Sequence, residues 1–146
     1  MPLNGQDLAD EARKWLGVRW HHQGRNIAGI DCAGLIVMVT ADLGIDHEDA
    51  VGYARTPEGQ KFRDLIRSQT TPENVPEPGM IGIFREGLLP CHVAFFAKRD
   101  DHVSIIHAYA GAHKVVEELF TDDWRARLIE VRGILGVDYM REENDG

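Results

Sequence analysis

Positive charge is scarce in this chain: 16 Lys and Arg stand against 24 Asp and Glu, a formal net charge of −8. Phosphate backbones are held by basic footprints, so no nucleic-acid partner is expected. Cysteine is scarce as well. Cys32 and Cys91 are the only two, which excludes a disulfide framework. No run reaches the roughly 18 apolar residues of a membrane span, so none is expected. Met1 to Asp10 has neither the basic nor the apolar region of a secretory signal, which implies synthesis in the cytoplasm without a visible signal peptide. Internal repeats and low-complexity tracts are missing too. What remains is an ordinary globular balance, 43% hydrophobic and 27% charged over 146 residues. That length suits one domain, 1–146, with a core that needs no staple.

The N-terminal half reads as helical. Asn4 can cap a helix with Asp7 three residues on, and Leu8, Ala12, Trp15 and Leu16 form one apolar stripe that Gly17 ends. A polar connection, Val18 to Ile30, follows. The run from Cys32 to Leu43 is apolar on nearly every side. A buried strand is the alternative, but its length, Asp31 before it and Gly44 after it favour a buried helix. Thr56-Pro57, with Phe62, Leu65 and Ile66, predicts a short third helix. Thr70 to Gly79 is a Pro-rich connector without periodicity.

The C-terminal half reads as strands. Five apolar runs, Met80–Phe84, Cys91–Ala97, Val103–Ala108, Lys114–Leu119 and Leu128–Leu135, are separated by Asp, Gly and Pro at intervals that suit an antiparallel meander. Thr121-Asp122-Asp123-Trp124 predicts a capped turn before the last of them. Arg141 to Gly146 is charged and expected to fray. Helices first and strands after is an α+β order, with the helices packed on a five-stranded sheet.

Cys32 sits at the first turn of the predicted helix. N–H groups and the dipole there favour an anion, and a thiol so placed is more readily a thiolate, the nucleophilic form. The alternative is a small buried apolar residue. A cysteine nucleophile needs a base and the base an orienter. His92 and His107 lie on consecutive predicted strands. If they stand directly opposite, Ala97 faces His102 and Lys98 to Asp101 form a four-residue connection. Ala94, Phe96, Ile105 and Val103 would share their face, and that face would pack on the Cys32 helix. Two satisfied strand histidines are the alternative. Cys91, next to His92 on a strand, should face the other way and reads as core. Glu117-Glu118 reads as a strand end. Cys32 and Cys91 lack the paired local ligands of a closed zinc site, so no metal is expected despite His21 and His22. Gly24 and Gly29 fit neither phosphate-loop spacing.

Asp31-Cys32-Ala33-Gly34-Leu35, preceded by Gly29, resembles the Asp-Cys-Ser/Ala-Gly-Leu signature of the NlpC-type cell-wall cysteine peptidases. Pro90-Cys91-His92-Val93-Ala94-Phe95-Phe96 is similar to that family's His-Val-Gly-Ile-Tyr strand. Ile106-His107-Ala108 is similar to the strand that follows, and Val115-Val116 and Trp124 to the closing segment. The resemblance runs from about Ala9 to Leu135. It implies a papain-like α+β fold and a peptidase that cuts peptidoglycan stem peptides, commonly between D-glutamate and a diamino acid. Carried over, Cys32 is the nucleophile, His92 the base and His107 the orienter, with no metal or organic cofactor.

Departures from the pattern fall mainly before the cysteine. Trp20-His21-His22-Gln23-Gly24 stands where the family has Tyr-x-Trp/Tyr-Gly-Gly, whose Tyr hydroxyl helps to form the oxyanion hole. The candidates for that hole are therefore the Cys32 backbone N–H and the Trp20 indole, while Asp31, His21 and Gln23 are candidates for substrate binding. The spacing from His92 to His107 is also longer than is common, which predicts a longer hairpin tip. The wording from Trp20 to Arg25 is most similar to members found with phage tail-tip proteins, which implies tail hub proteins as partners and a place in a virion or phage-like tail tip. A catalytically silent structural module, and an amidase or acyltransferase using the same thiol, are the competing expectations.

Overall fold

A computed structural model describes residues 2–45, 64, 66–86 and 89–140. Helix α1 (Gly5–Arg13) begins in a reciprocal capping box: Asn4 accepts from the Asp7 N–H, and the Asp7 carboxylate accepts from the Asn4 N–H. Leu8, Ala12 and Trp15 are buried as the stripe predicts, but the helix ends at Arg13 and Leu16 is 43% exposed. The turns that follow close on Gly17, whose φ of 87° suits glycine. A two-stranded hairpin, β1 (Arg25–Asn26) and β2 (Gly29–Ile30), stands within the expected polar connection.

Helix α2 (Cys32–Asp42) follows at once, with Asp31 as its N-cap. The helical reading of this apolar run therefore holds. A helix apolar all round must be buried, and Cys32 to Ile36, Val39 and Thr40 are. Most of the third helix expected after Thr56-Pro57 lies outside the described residues, as do Leu65 and the charged end from Arg141; residues 66–68 are helical.

The main sheet has six strands in the order β3-β8-β4-β5-β6-β7, every pair antiparallel. They are β3 (Thr70–Glu73), β4 (Ile81–Glu86), β5 (Leu89–Arg99), β6 (His102–Tyr109), β7 (Lys114–Leu119) and β8 (Leu128–Ile134). The sheet departs from two expectations. The Pro-rich connector supplies a sixth strand, β3, at the sheet edge, where a proline such as Pro72 is tolerated because a donor is needed on one side only. The simple meander covers β4 to β7 alone; β8 crosses back to lie between β3 and β4. Helix α3 (Asp122–Arg127) makes that crossing, capped by Thr121, which accepts from the Trp124 N–H.

Alternation along the strands divides the core between the two faces. On one face, Leu8, Ala9 and Ala12 of α1 and Cys32, Leu35, Ile36 and Val39 of α2 share a cluster with Val93, Phe95, Ala97, Ile106 and Ala108. On the other, Trp124 of α3 and Phe120 cluster with Phe84, Ala94, Phe96 and Ile105.

Candidate functional site

The β5–β6 hairpin positions the two histidines, in a register two residues away from the predicted one. Arg99 pairs with His102 and Phe95 with Ile106, so the turn is Asp100-Asp101 alone. Their φ angles of 50° and 66° make the two-residue turn that matches strand twist, and aspartate tolerates this left-handed region. The tip is thus shorter than predicted. A slip of two preserves the face, so His92 and His107 stand diagonally rather than directly opposite, within reach of two imidazoles.

The contact itself is as expected. His92 Nε2 lies 2.7 Å from His107 Nδ1, and both rings are buried. A β-bulge precedes it: Phe84 pairs with His92 but Arg85 with Pro90, leaving Cys91 as the extra residue. Bulges re-aim the side chains beside them. The Cys91 side chain lies outside the described residues.

The face is not as expected. Ala94, Phe96 and Ile105 pack with Trp124, whereas the Cys32 helix packs on Val93, Phe95 and Ile106. The histidine rings touch Trp124 and Tyr109: His107 stacks on Tyr109 at 5.1 Å, and His92 lies 5.9 Å from the Trp124 ring. The reason is hydrophobic pattern. Both faces of β5 are apolar, so alternation alone did not say which face the helix would take.

Glu118, read from sequence as part of a strand end, is the residue that reading missed. Its Oε2 lies 2.9 Å from His107 Nε2, and its Oε1 accepts from the Trp124 indole N–H at 2.8 Å. Glu117, one residue earlier, turns to the opposite face. There it pairs with Arg13 of α1 at 2.9 Å and accepts from the Ser104 hydroxyl at 2.8 Å. The available signal was strand alternation itself: it gives adjacent carboxylates opposite faces, and His107 lies on an adjacent strand.

Electrostatics follow from this burial. Desolvation, then His107 and Arg127, hold the His92 pKa well below the ordinary imidazole range. The hydrogen bond from His107 lowers the Glu118 pKa; burial opposes that, and the Trp124 hydrogen bond adds to it. An ionised carboxylate only accepts, so His107 carries its proton on Nε2. With His107 neutral, its Nδ1 accepts from the Nε2–H of His92. The lone pair of neutral His92 is left on Nδ1.

Backbone bonds tie the segment before Cys32 to the connection between β6 and β7. Arg19 bridges to Lys114 and Trp20 to Ile30; the Trp20 N–H donates to the His113 carbonyl and the Val115 N–H to Val18. Ile30 lies two residues before Cys32, and Lys114 pairs with Tyr109, two residues after His107. Cys32 is buried, 8% exposed as a residue.

The motif around it has a physical reading. Asp31 Oδ1 accepts from the Gly34 N–H at 2.8 Å and meets Arg25 at 3.0 Å, while Oδ2 accepts from the Gln23 N–H at 2.7 Å. A carboxylate so engaged fastens the loop to the helix. A Cβ on Gly34 would run into the Gly24 carbonyl, and one on Gly24 into that of Gly29, so these glycines permit backbone contact. Gln23, a substrate candidate, has a φ of 58°, the left-handed region that favours glycine. His21 is exposed, with Nδ1 3.0 Å from the His22 carbonyl, and Trp20 is half-buried against the Cys32 cluster. Among the described residues no group of three or more His, Cys, Asp or Glu is placed to hold a metal, and no helix is long and apolar enough to cross a membrane.

Neither a protein-family model nor a curated protein matches the chain. Solved structures do, and they define the fold as that of NlpC/P60 domains. An NlpC/P60 family protein from Bacillus cereus superposes with a TM-score of 0.67 at 18% identity, covering 92% of this chain and 41% of its own. A lipoprotein-like member of the family from Staphylococcus aureus gives 0.63 at 20% identity, covering 91% and 43%. The NlpC/P60 domain of the peptidoglycan hydrolase SagA gives 0.60 at 19% identity, covering 90% of this chain and 100% of its own. The chain thus spans about two fifths of the first two proteins and the whole of the SagA domain.

Proposed function

We propose that this chain is a cysteine peptidase that hydrolyses peptidoglycan stem peptides. The carrying observation is the buried bond between His92 and His107, on a fold shared with the NlpC/P60 domain of a peptidoglycan hydrolase. Nδ1 of His92 takes the Cys32 proton, and the thiolate attacks the carbonyl carbon of a peptide bond. The Cys32 N–H, at the first turn of α2, and the Trp20 indole hold the oxyanion. His92 then gives its proton to the leaving amine, and activates the water that hydrolyses the thioester. No metal or organic cofactor enters these steps.

Digestion of purified peptidoglycan of several chemotypes tests the reading. New amine and carboxyl ends from the wild type, absent with Cys32→Ala, are expected. No cleavage of any chemotype by a folded wild type contradicts it, and a transferred acyl group would identify an acyltransferase instead. Trp20→Phe keeps a ring and removes the N–H, which should cost on the order of a hundredfold in turnover. A silent structural module is the second reading, favoured by Trp20 in the position of the family's Tyr. The wording from Trp20 to Arg25 supports a finer proposal, delivery by a phage-like tail tip in contact with hub proteins. Copurification with such proteins is expected, and its absence from assembled tails contradicts that role.

A further inference from the structure

The histidine pair does not end at His107. Its Nε2 meets Glu118 Oε2 at 2.9 Å, and the other oxygen of that carboxylate meets the Trp124 indole N–H at 2.8 Å. Four side chains from β5, β6, β7 and α3 thus form one line of hydrogen bonds. Each link constrains the next. An indole N–H only donates and an ionised carboxylate only accepts, so the direction of every bond is set from the Trp124 end. Arg127 flanks the line, its guanidinium carbon 4.3 Å from the centre of the Trp124 ring.

We infer that Glu118 and Trp124 are positioning residues, which act through His107 to keep the proton of neutral His92 on Nε2 and its lone pair on Nδ1. This rests on His92 being the base of Cys32. Trp124 holds the carboxylate by one oxygen, so the other is presented to His107 rather than turned to water. Glu118 is half-buried, and without that second bond its side chain would have rotamer freedom to lose.

The line makes an unusual prediction for Glu118→Gln. The indole N–H demands the amide oxygen, which turns the NH2 group to His107. A donor now faces Nε2, so His107 must carry its proton on Nδ1. His92 Nε2 becomes an acceptor, and the His92 proton moves to Nδ1, where the lone pair is needed. The protein composition changes by one atom type, and the relay runs backwards. Removing the indole donor as well, in Glu118→Gln with Trp124→Phe, lets the amide oxygen return to His107 and restores the original direction.

Nitrogen-15 imidazole spectra near neutral pH read the tautomers directly and need no substrate. The wild type should show Nε2–H on both rings, Glu118→Gln should show Nδ1–H on both, and the double variant should return to Nε2–H. Turnover of stem peptides should fall on the order of a thousandfold in Glu118→Gln, as expected when a base presents a proton in place of a lone pair, and recover substantially in the double variant. Unchanged tautomers in Glu118→Gln overturn the inference, as does a double variant that stays reversed. Failure of the underlying reading looks different: tautomers that respond as described, with Cys32 alkylation indifferent to His92→Ala, would separate His92 from the thiol and remove the catalytic purpose of the line.

Discussion

Glu117 and Glu118 are neighbours in sequence and differ in almost everything else. Glu117 enters the face covered by α1, where it locks Arg13 and Ser104. Glu118 enters the face covered by α3, where it meets His107 and Trp124. The same alternation makes Val93 and Phe95 core for the Cys32 helix and leaves His92 among aromatic rings. One face of the sheet therefore fastens α1 and α2, and the other aligns imidazoles beneath α3. Identical side chains one residue apart serve different ends because a strand has no other way to place them.

The contrast can be broken first with Glu117→Ala. It takes the carboxylate from the Ser104 hydroxyl and from Arg13, which keeps the Lys98 carbonyl and Asp10, and should lower stability by about 2 kcal/mol, because charge-assisted bonds are lost from a partly buried site. Glu118→Ala, at a half-exposed carboxylate, should cost less than about 1 kcal/mol on the general scale of such bonds. Urea midpoints measure both, and equal losses would erase the distinction between the faces.

Acid sharpens the same contrast. Burial, with His107 and Arg127, depresses the His92 pKa. Between that depressed value and about 6.5 the unfolded chain binds the extra proton. The stability contributed by neutral His92 is thus complete above about pH 6.5 and is lost as pH falls below it. Glu117 and Glu118 are depressed too: Glu117 by its Arg13 and Ser104 bonds overcoming burial, Glu118 chiefly by its His107 bond. Their contributions are lost at more acid pH, below about 4.3. Urea midpoints against pH should therefore fall in two stages in the wild type, and His92→Gln should abolish the first stage alone. The smallest effect belongs to the loop before Cys32. Gln23→Gly relieves a left-handed backbone and should gain up to about 1 kcal/mol, read as a higher urea midpoint, and an unchanged or lower midpoint contradicts it.

Much of this was legible in the sequence because local chemistry decided it. Asn4 with Asp7, and Asp31 before an apolar run, each name a helix start, and each caps one, while Thr121 before Trp124 names a capped turn and caps the short helix α3. The pairing of His92 with His107 was legible from parity, which survived a wrong register. The register itself was not, because Asp100-Asp101 makes a two-residue turn without the glycine that usually announces one. The edge strand Thr70–Glu73 was hidden by Pro72, which an edge accepts. The face taken by α2 and the role of Glu118 depended on long-range packing, on which strand patterns that are apolar on both sides are silent.

The central claim is that Cys32 is a nucleophile served by His92, and the rate of iodoacetamide labelling at about pH 6 tests it most directly, since an unperturbed thiol with a pKa of about 8.5 is nearly inert there. Peptide mapping distinguishes Cys32 from Cys91. Cys32 is predicted to react first although it is only 8% exposed, to slow in His92→Ala, and to be unaffected by Cys91→Ser. Labelling of Cys32 in the folded protein no faster than that of Cys91, or equal rates in the wild type and His92→Ala, would contradict the account.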